Sequence, residues 1–161
     1  MSVAIVYHSV TGNTEGVAKR IATATGGELI RVKDLAGYNK ITLYLKGSMR
    51  ARRRELDEIE PAIIDVSGYS VIVVGTPVWA WSPTPAANAA IAALMGCEGK
   101  KGIVFATCGG KAGETLAMMK EALAAKGVDV VGGFAFSQKE LTDEQKLGEL
   151  VSAVKQAAGM G

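Results

Sequence analysis

The stretch SVAIVYHSVTGNT, residues 2–14, decides the fold, because it joins an apolar run to the start of a helix through a polar turn. Residues 2–7 form a short apolar run, which is typical of a parallel strand buried on both faces. From Thr14 to Thr25, apolar residues recur at helical spacing, and the two glycines that follow provide a stop signal. The stretch therefore predicts a strand–loop–helix unit.

The same pattern recurs along the chain. Further strands are predicted over residues 28–33, 70–75, 102–107 and 128–136, and helices over 86–95, 114–126 and 142–157. Thr142 is expected to begin the last helix through a capping box with Gln145. Residues 38–60 are the least clear part, where a short helix over 41–45 and a charged helical turn over 52–59 both fit. Apolar strands that alternate with helices predict an α/β fold, a three-layer doubly wound sheet of five parallel strands.

The composition fits one domain over residues 1–161, since roughly 150 residues make a domain. No apolar run approaches the roughly 18 residues of a membrane span, and the start lacks the pattern of a signal peptide. We therefore expect a cytoplasmic protein that does not enter a membrane. The net charge of +2 argues against nucleic-acid binding. No residue cluster has the spacing of metal ligands, so no metal is expected.

The charge is unevenly distributed along the chain. Residues 38–54 carry six basic side chains and no acidic one, whereas residues 55–65 carry five acidic side chains and no basic one. The Lys46–Arg54 segment could bind the phosphates of a pyridine nucleotide or an acidic partner protein. It could equally be a solvated face that pairs with the acidic side chains nearby. Both interpretations stay open.

Three loops follow the carboxyl ends of predicted strands, where ligands bind in sheets of this kind. The first loop, residues 9–14, places three hydroxyls, an amide and a glycine at a helix start. A helix start exposes unpaired N–H groups and the positive end of its dipole, which favours a phosphate. The alternative is that Thr11 or Asn13 only caps the helix. Neither the GxxxxGK[ST] nor the GxGxxG phosphate motif occurs.

The second loop, residues 76–85, holds both tryptophans and three of the four prolines of the chain. Trp79 and Trp81 present flat faces that favour stacking on an aromatic ring over core packing, and either could be the stacking residue. The third loop, residues 107–113, is rich in glycine and exposes backbone groups that can bind the edge of a heterocycle. His8 lies beside the first loop and Cys108 lies within the third, and residues of these types are more often structural than reactive in such positions.

Taken together, SVTGNT, GTPVWAWSPTP and TCGGKAG resemble the corresponding loops of the flavodoxin-like family, and the resemblance extends over essentially the whole chain. It implies the sheet order 2-1-3-4-5 and a bound FMN. The implied cofactor-binding residues are Ser9, Val10, Thr11, Gly12, Asn13 and Thr14 at the phosphate, Thr76, Pro77, Val78, Trp79, Ala80 and Trp81 along the isoalloxazine, and Thr107, Cys108, Gly109 and Gly110 at its pyrimidine edge.

The resemblance also implies a function. It points to an electron-transfer protein that shuttles electrons between redox partner proteins and needs no catalytic residue of its own, because the flavin supplies the chemistry. The alternative is an FMN-dependent NAD(P)H:quinone oxidoreductase, favoured by the basic segment and by a third loop with no aromatic residue to cover the flavin. A scaffold that has lost its cofactor is a third interpretation, and the intact SVTGNT loop argues against it.

Overall fold

The computed structural model describes residues 2–36, residue 49 and residues 56–160. Its central sheet contains five long strands, which are β1 (Val3–Tyr7), β2 (Glu28–Arg31), β3 (Val71–Trp79), β4 (Lys101–Cys108) and β5 (Asp129–Ser137). All four neighbouring pairs are parallel, and the strands lie in the order β2-β1-β3-β4-β5. The predicted fold class and the 2-1-3-4-5 order are therefore confirmed.

Helices cover both faces of this sheet. In the described residues, α1 (Asn13–Thr25) and α4 (Glu144–Ala157) pack on one face, and α2 (Pro85–Ala93) and α3 (Thr115–Ala124) on the other. Side chains of β3 alternate between the two cores, with Val71 and Val73 towards α1 and α4 and Ile72 and Val74 towards α2 and α3. Each such burial contributes about 1.5–3 kcal/mol, so the three-layer arrangement follows from the apolar strands.

The register of β3 brings the strand ends to one edge. β3 pairs with β1 up to Tyr7 opposite Gly75, and with β4 up to Pro77 opposite Thr107. Gly75 lies beneath the ring of Phe105, where a Cβ atom would stand 2.2 Å from the ring. The glycine thus lets β3 and β4 stay in contact, and the three loops emerge side by side at the carboxyl edge.

The second loop is a continuation of β3. The strand was expected to end at Gly75 but runs on to Trp79, because Val78 and Trp79 pair with the antiparallel segment Ser82–Pro83. We call residues 76–84 the tryptophan hairpin. The prediction of an irregular loop here was wrong, and the physical reason is this short return strand.

Two other boundaries differ from their predictions. The helix expected over 86–95 ends at Ala93, because Leu94–Met95 pairs with Ile64–Asp65. The last helix is capped by Asp143 rather than Thr142, since the Asp143 carboxylate accepts hydrogen bonds from the Gln145 and Lys146 amides at 3.1 and 3.2 Å. Thr142 instead ends a short 3₁₀ turn. The capping box predicted there was therefore wrong.

The region after β2 also departs from its prediction. The strand expected over 28–33 is interrupted after Arg31, and Lys33–Asp34 pairs in antiparallel fashion with Ile59–Glu60. A charged helical turn is predicted over 52–59. The described part of this range is not helical, because residues 56–58 are irregular and Ile59 begins the strand Ile59–Glu60. The helix predicted over 41–45 lies outside the described residues, as does the Lys46–Arg54 segment apart from Met49. No helix in the described ranges is long and apolar enough to cross a membrane.

Candidate cofactor site at the carboxyl edge

The first loop is shaped by Ser9. Its Oγ atom accepts hydrogen bonds from the Gly12 and Glu15 amides, each at 3.2 Å, and so caps the start of α1. Gly12, the N-cap residue, has a φ of 95°, a left-handed conformation that favours glycine. Among the described residues, the side chain of Asn13 bonds to Gln138 instead of to a helix amide, and that of Thr11 makes no capping bond. The alternative in which Thr11 or Asn13 provides the cap therefore does not hold.

This arrangement leaves donors available at the helix start. Within the described residues, the backbone amides of Thr11, Asn13 and Thr14 make no hydrogen bond. Unpaired amides and the positive end of the helix dipole together attract an anion. The Ser9 hydroxyl, which accepts two bonds, still has its own proton to donate. The loop can thus bind a phosphate through neutral donors.

Thr14 and Thr107 connect the first loop to the third. Both are buried, and their hydroxyl oxygens lie 2.8 Å apart. Two hydroxyls have two protons, and this contact uses one of them. The pair therefore aligns the two loops and keeps one O–H to donate elsewhere.

The tip of the tryptophan hairpin is strained. Ala80 and Trp81 form its turn with φ angles of 47° and 62°, the left-handed region. For residues with a side chain this conformation costs roughly 1–2 kcal/mol each, so the turn needs support from its surroundings. The Glu114 amide provides some of it by donating to the Trp81 carbonyl at 3.1 Å.

The two tryptophans occupy different environments. Trp79 is half-buried, and its ring meets that of His8 edge-on, with centroids 6.1 Å apart and planes at 78°. Trp81 lies at the hairpin tip and is 59% exposed. The start of the Trp81 side chain lies against Gly113, which has a φ of 57° and where a Cβ atom would stand 2.3 Å from the Trp81 Cβ. The hairpin and the third loop therefore form one continuous wall.

Cys108 begins the third loop and behaves as a structural residue. Its thiol contacts the carbonyls of Phe136 and Gly110 at 3.5 and 3.6 Å. Burial raises the pKa of the Cys108 thiol, and the nearby Glu140 carboxylate raises it further. The thiol is thus protonated at neutral pH, in line with the expectation of an unreactive cysteine. Gly109 and Gly110 are exposed beside it.

His8 is buried and neutral. It is 5% exposed, and its Nδ1 atom lies 2.8 Å from the Thr84 hydroxyl. Burial lowers the pKa of His8 to about 4, against the attraction of Asp57 and with a small contribution from Arg31. An imidazole that is uncharged and enclosed at neutral pH does not act as a general acid there.

Sequence reasoning missed Thr84. This residue is fully buried and caps α2, where its hydroxyl accepts a hydrogen bond from the Ala87 amide at 3.1 Å. The signal was present, because threonine followed by proline and an apolar run is typical of a helix start. Sequence alone did not indicate that Thr84 also contacts His8 and Thr76.

The site as a whole offers a set of neutral binding groups. It combines amide donors, neutral hydroxyls and an aromatic hairpin at one edge of the sheet. Among the residues that the structure describes, no group of three or more His, Cys, Asp or Glu side chains could hold a metal ion.

Solved structures share this fold. A protein from Bacteroides uniformis assigned as a flavoprotein superposes with a TM-score of 0.77 at 18% identity, covering 94% of this chain and 97% of that one. A flavoprotein from Lactobacillus acidophilus in complex with FMN gives a TM-score of 0.66 at 23% identity, with 90% and 99% covered. The apo form of an NADH:FMN oxidoreductase gives 0.64 at 17%, with 98% and 88% covered.

Sequence comparison identifies the family. No curated protein matches the chain. The model of the flavodoxin family, however, matches residues 2–143, a range that contains β1 to β5 and all three loops. The chain therefore belongs to the flavodoxin family.

Proposed function

We propose that the protein binds FMN noncovalently at the carboxyl edge of its sheet and passes electrons between redox partner proteins. Family membership supports the cofactor, as does the FMN complex of the Lactobacillus acidophilus protein with the same fold. When bound, FMN supplies one- and two-electron chemistry, and the protein supplies binding and electrostatics. The observation that carries the proposal is the set of unpaired amides in the first loop, next to the tryptophan hairpin.

The first loop is the proposed phosphate site. The amides of Thr11, Asn13 and Thr14 and the Ser9 hydroxyl donate to the phosphate oxygens, and the dipole of α1 adds to their attraction. Val10 and Thr11 are exposed at the rim of this site. These donors carry no formal charge, so the affinity for the phosphate depends on how many hydrogen bonds they make and on the direction of those bonds.

The tryptophan hairpin is the proposed isoalloxazine site. We assign the stacking face to Trp79, because the buried His8 ring fixes the plane of its indole. Pro77, Val78 and Ala80 are half-buried along the same segment. Trp81 forms the outer rim, and Thr107 with Cys108, Gly109 and Gly110 faces the pyrimidine edge.

Comparison of FMN with riboflavin tests the phosphate site. The purified protein should absorb near roughly 450 nm, and the apoprotein should bind FMN more tightly than riboflavin, which lacks the phosphate. Ser9→Ala should narrow that difference by about tenfold or more, since a hydrogen bond to a charged group is worth about 1.5–3 kcal/mol. Thr142→Ala removes an exposed hydroxyl outside the site and is the control. Equal affinity of the wild-type protein for both flavins would contradict the phosphate assignment.

The alternative function is an FMN-dependent NAD(P)H:quinone oxidoreductase. It is favoured by the fold shared with an NADH:FMN oxidoreductase and by a third loop without an aromatic residue. The two functions differ in one assay. A carrier oxidises NAD(P)H only through a separate reductase, whereas an oxidoreductase consumes NAD(P)H alone when a quinone is added.

The Lys46–Arg54 segment stays a predicted contact for an acidic partner protein. A strong dependence of the rate of partner reduction on salt concentration would support this prediction.

A further inference from the structure

Three buried side chains link β1 to the tryptophan hairpin. His8, Thr84 and Thr76 are 5%, 0% and 0% exposed. The His8 Nδ1 atom lies 2.8 Å from the Thr84 Oγ1 atom, which in turn lies 3.4 Å from the Thr76 Oγ1 atom. His8 follows β1, whereas the two threonines stand at the two ends of the hairpin. The contacts therefore join separate parts of the chain.

Proton counting and the distances together assign a direction to these hydrogen bonds. The Thr76 hydroxyl donates to the Pro77 carbonyl at 2.8 Å and accepts from the Thr84 amide at 3.2 Å. The Thr84 hydroxyl accepts from the Ala87 amide, so its own proton is available for His8, the nearer of its two remaining neighbours. The reverse arrangement, with Nδ1–H donating to Thr84, would make Thr84 donate across the longer 3.4 Å contact to Thr76, so we assign His8 as the acceptor at Nδ1 with its proton on Nε2.

A strained hairpin needs such an attachment. Its turn residues Ala80 and Trp81 have positive φ angles, and its tip is held by the Trp81–Glu114 hydrogen bond. Its base is held where Thr84 and Thr76 meet, and His8 is the acceptor that completes the bonding of Thr84. The same imidazole lies edge-on to the Trp79 ring.

We propose that His8 is a positioning residue, whose neutral imidazole holds the base of the tryptophan hairpin and the plane of Trp79. The effect on the hairpin is independent of any ligand, and the effect on flavin binding rests on the proposed function. Among the described residues, the charged groups that act on the ring are Asp57, which favours the imidazolium form, and Arg31, which disfavours it.

The ligand-free test measures hydrogen exchange of the hairpin amides in the full-length apoprotein. His8→Phe keeps a ring but removes the acceptor, and exchange over residues 78–84 should accelerate by about tenfold or more, since that change corresponds to one lost hydrogen bond. His8→Asn can present its amide oxygen near the Nδ1 position and should restore slow exchange. The control is Tyr7→Phe, which removes a contact to Glu15 and does not touch the hairpin. Wild-type exchange in His8→Phe, or equal acceleration throughout the sheet, would overturn the proposal.

A second ligand-free measurement uses fluorescence. Trp81→Phe leaves Trp79 as the single tryptophan, since the chain has two. Emission of Trp79 should fall as the pH drops through about 4, when the adjacent imidazole becomes charged, and this transition should disappear in His8→Asn. If the pH transition of Trp79 emission persists in His8→Asn, it does not come from protonation of His8.

Flavin affinities distinguish the proposed role of His8 from the proposed function of the protein. His8→Phe should raise the Kd for FMN by about tenfold, and the Kd for riboflavin by the same factor, because the hairpin contacts the ring system and not the phosphate. His8→Asn should remain within about threefold of the wild type. If the wild-type protein binds no flavin, the proposed function fails, and hydrogen exchange alone decides the role of His8. A wild-type Kd in His8→Phe would contradict the flavin part of the inference.

Discussion

The hydroxyl groups of Thr14 and Thr107 lie 2.8 Å apart in the interior, and they hold the first loop against the third. The two loops follow β1 and β4, which are separated in the sheet by β3. A side-chain contact thus aligns two loops that no strand pairing connects. This contact therefore fixes the phosphate end of the proposed FMN site relative to its pyrimidine end.

This pair predicts non-additive substitutions. Thr107→Val keeps the shape but leaves the Thr14 hydroxyl without its partner, which should lower the free energy of unfolding by about 1–3 kcal/mol. Thr14→Val should have a similar effect. The double variant should lose clearly less than the sum, because neither hydroxyl is then left unpaired. Urea unfolding of the four proteins gives the coupling energy, and strict additivity would rule out the hydrogen bond as the cause.

Local sequence predicted the sheet well, because the signals there are local. The apolar runs of β1 and β3 and the glycine stop after α1 each indicate their element without reference to distant residues. The relative order of the strands came from the family resemblance. It cannot be obtained from apolar runs, which are alike in all the central strands.

The parts that sequence did not predict depend on distant contacts. The hairpin turn Ala80–Trp81 lacks the Asn-Gly or Gly residues that normally indicate such a turn, and it is stabilised by Thr84 and Glu114 instead. The neutral state of His8 comes from its burial, and its ring contacts Thr84, which is 76 positions away in the chain. At α4, Thr142 and Asp143 both suit a cap, and only the geometry of the preceding turn selects Asp143.

Ala80→Gly should stabilise the apoprotein. Glycine adopts a φ of 47° without strain, which removes roughly 1–2 kcal/mol, while its greater freedom in the unfolded chain offsets about 0.5–1 kcal/mol. The net gain should be about 0.5–1 kcal/mol by denaturant unfolding. Ala117→Gly, at an exposed position in α3, is the control and should lose about 1 kcal/mol. A loss at both positions would mean that residue 80 is not strained.

Gly113→Ala should disturb the wall formed by the hairpin and the third loop. A methyl group at this position would stand 2.3 Å from the Trp81 Cβ atom, on a backbone with a φ of 57°. We expect a loss of about 1–3 kcal/mol in unfolding free energy and a shift of the Trp81 emission, measured in a Trp79→Phe background. Gly109→Ala is the matched control, because a Cβ atom there has no heavy atom within 4 Å. Equal effects at the two glycines would argue against the Trp81 contact.

Protonation of His8 should make stability depend on pH. The pKa of His8 is lowered from 6.5 to about 4 in the folded protein, so between these values the unfolded chain binds a proton that the folded protein does not. Stability contributed by the neutral imidazole is therefore fully present above pH 6.5 and is lost as the pH falls towards 4, with a total on the order of 3 kcal/mol. Carboxylates such as Glu140, whose pKa is lowered to about 2 by Lys146, also lose stabilising contacts in acid, at lower pH.

The informative quantity is thus the difference in unfolding free energy between the wild type and His8→Asn, in which residue 8 cannot titrate. Unfolding free energies measured at pH 7, 6, 5 and 4.5 should fall more steeply in the wild type than in His8→Asn. Parallel curves would show that His8 has an ordinary pKa and is not enclosed as the structure places it.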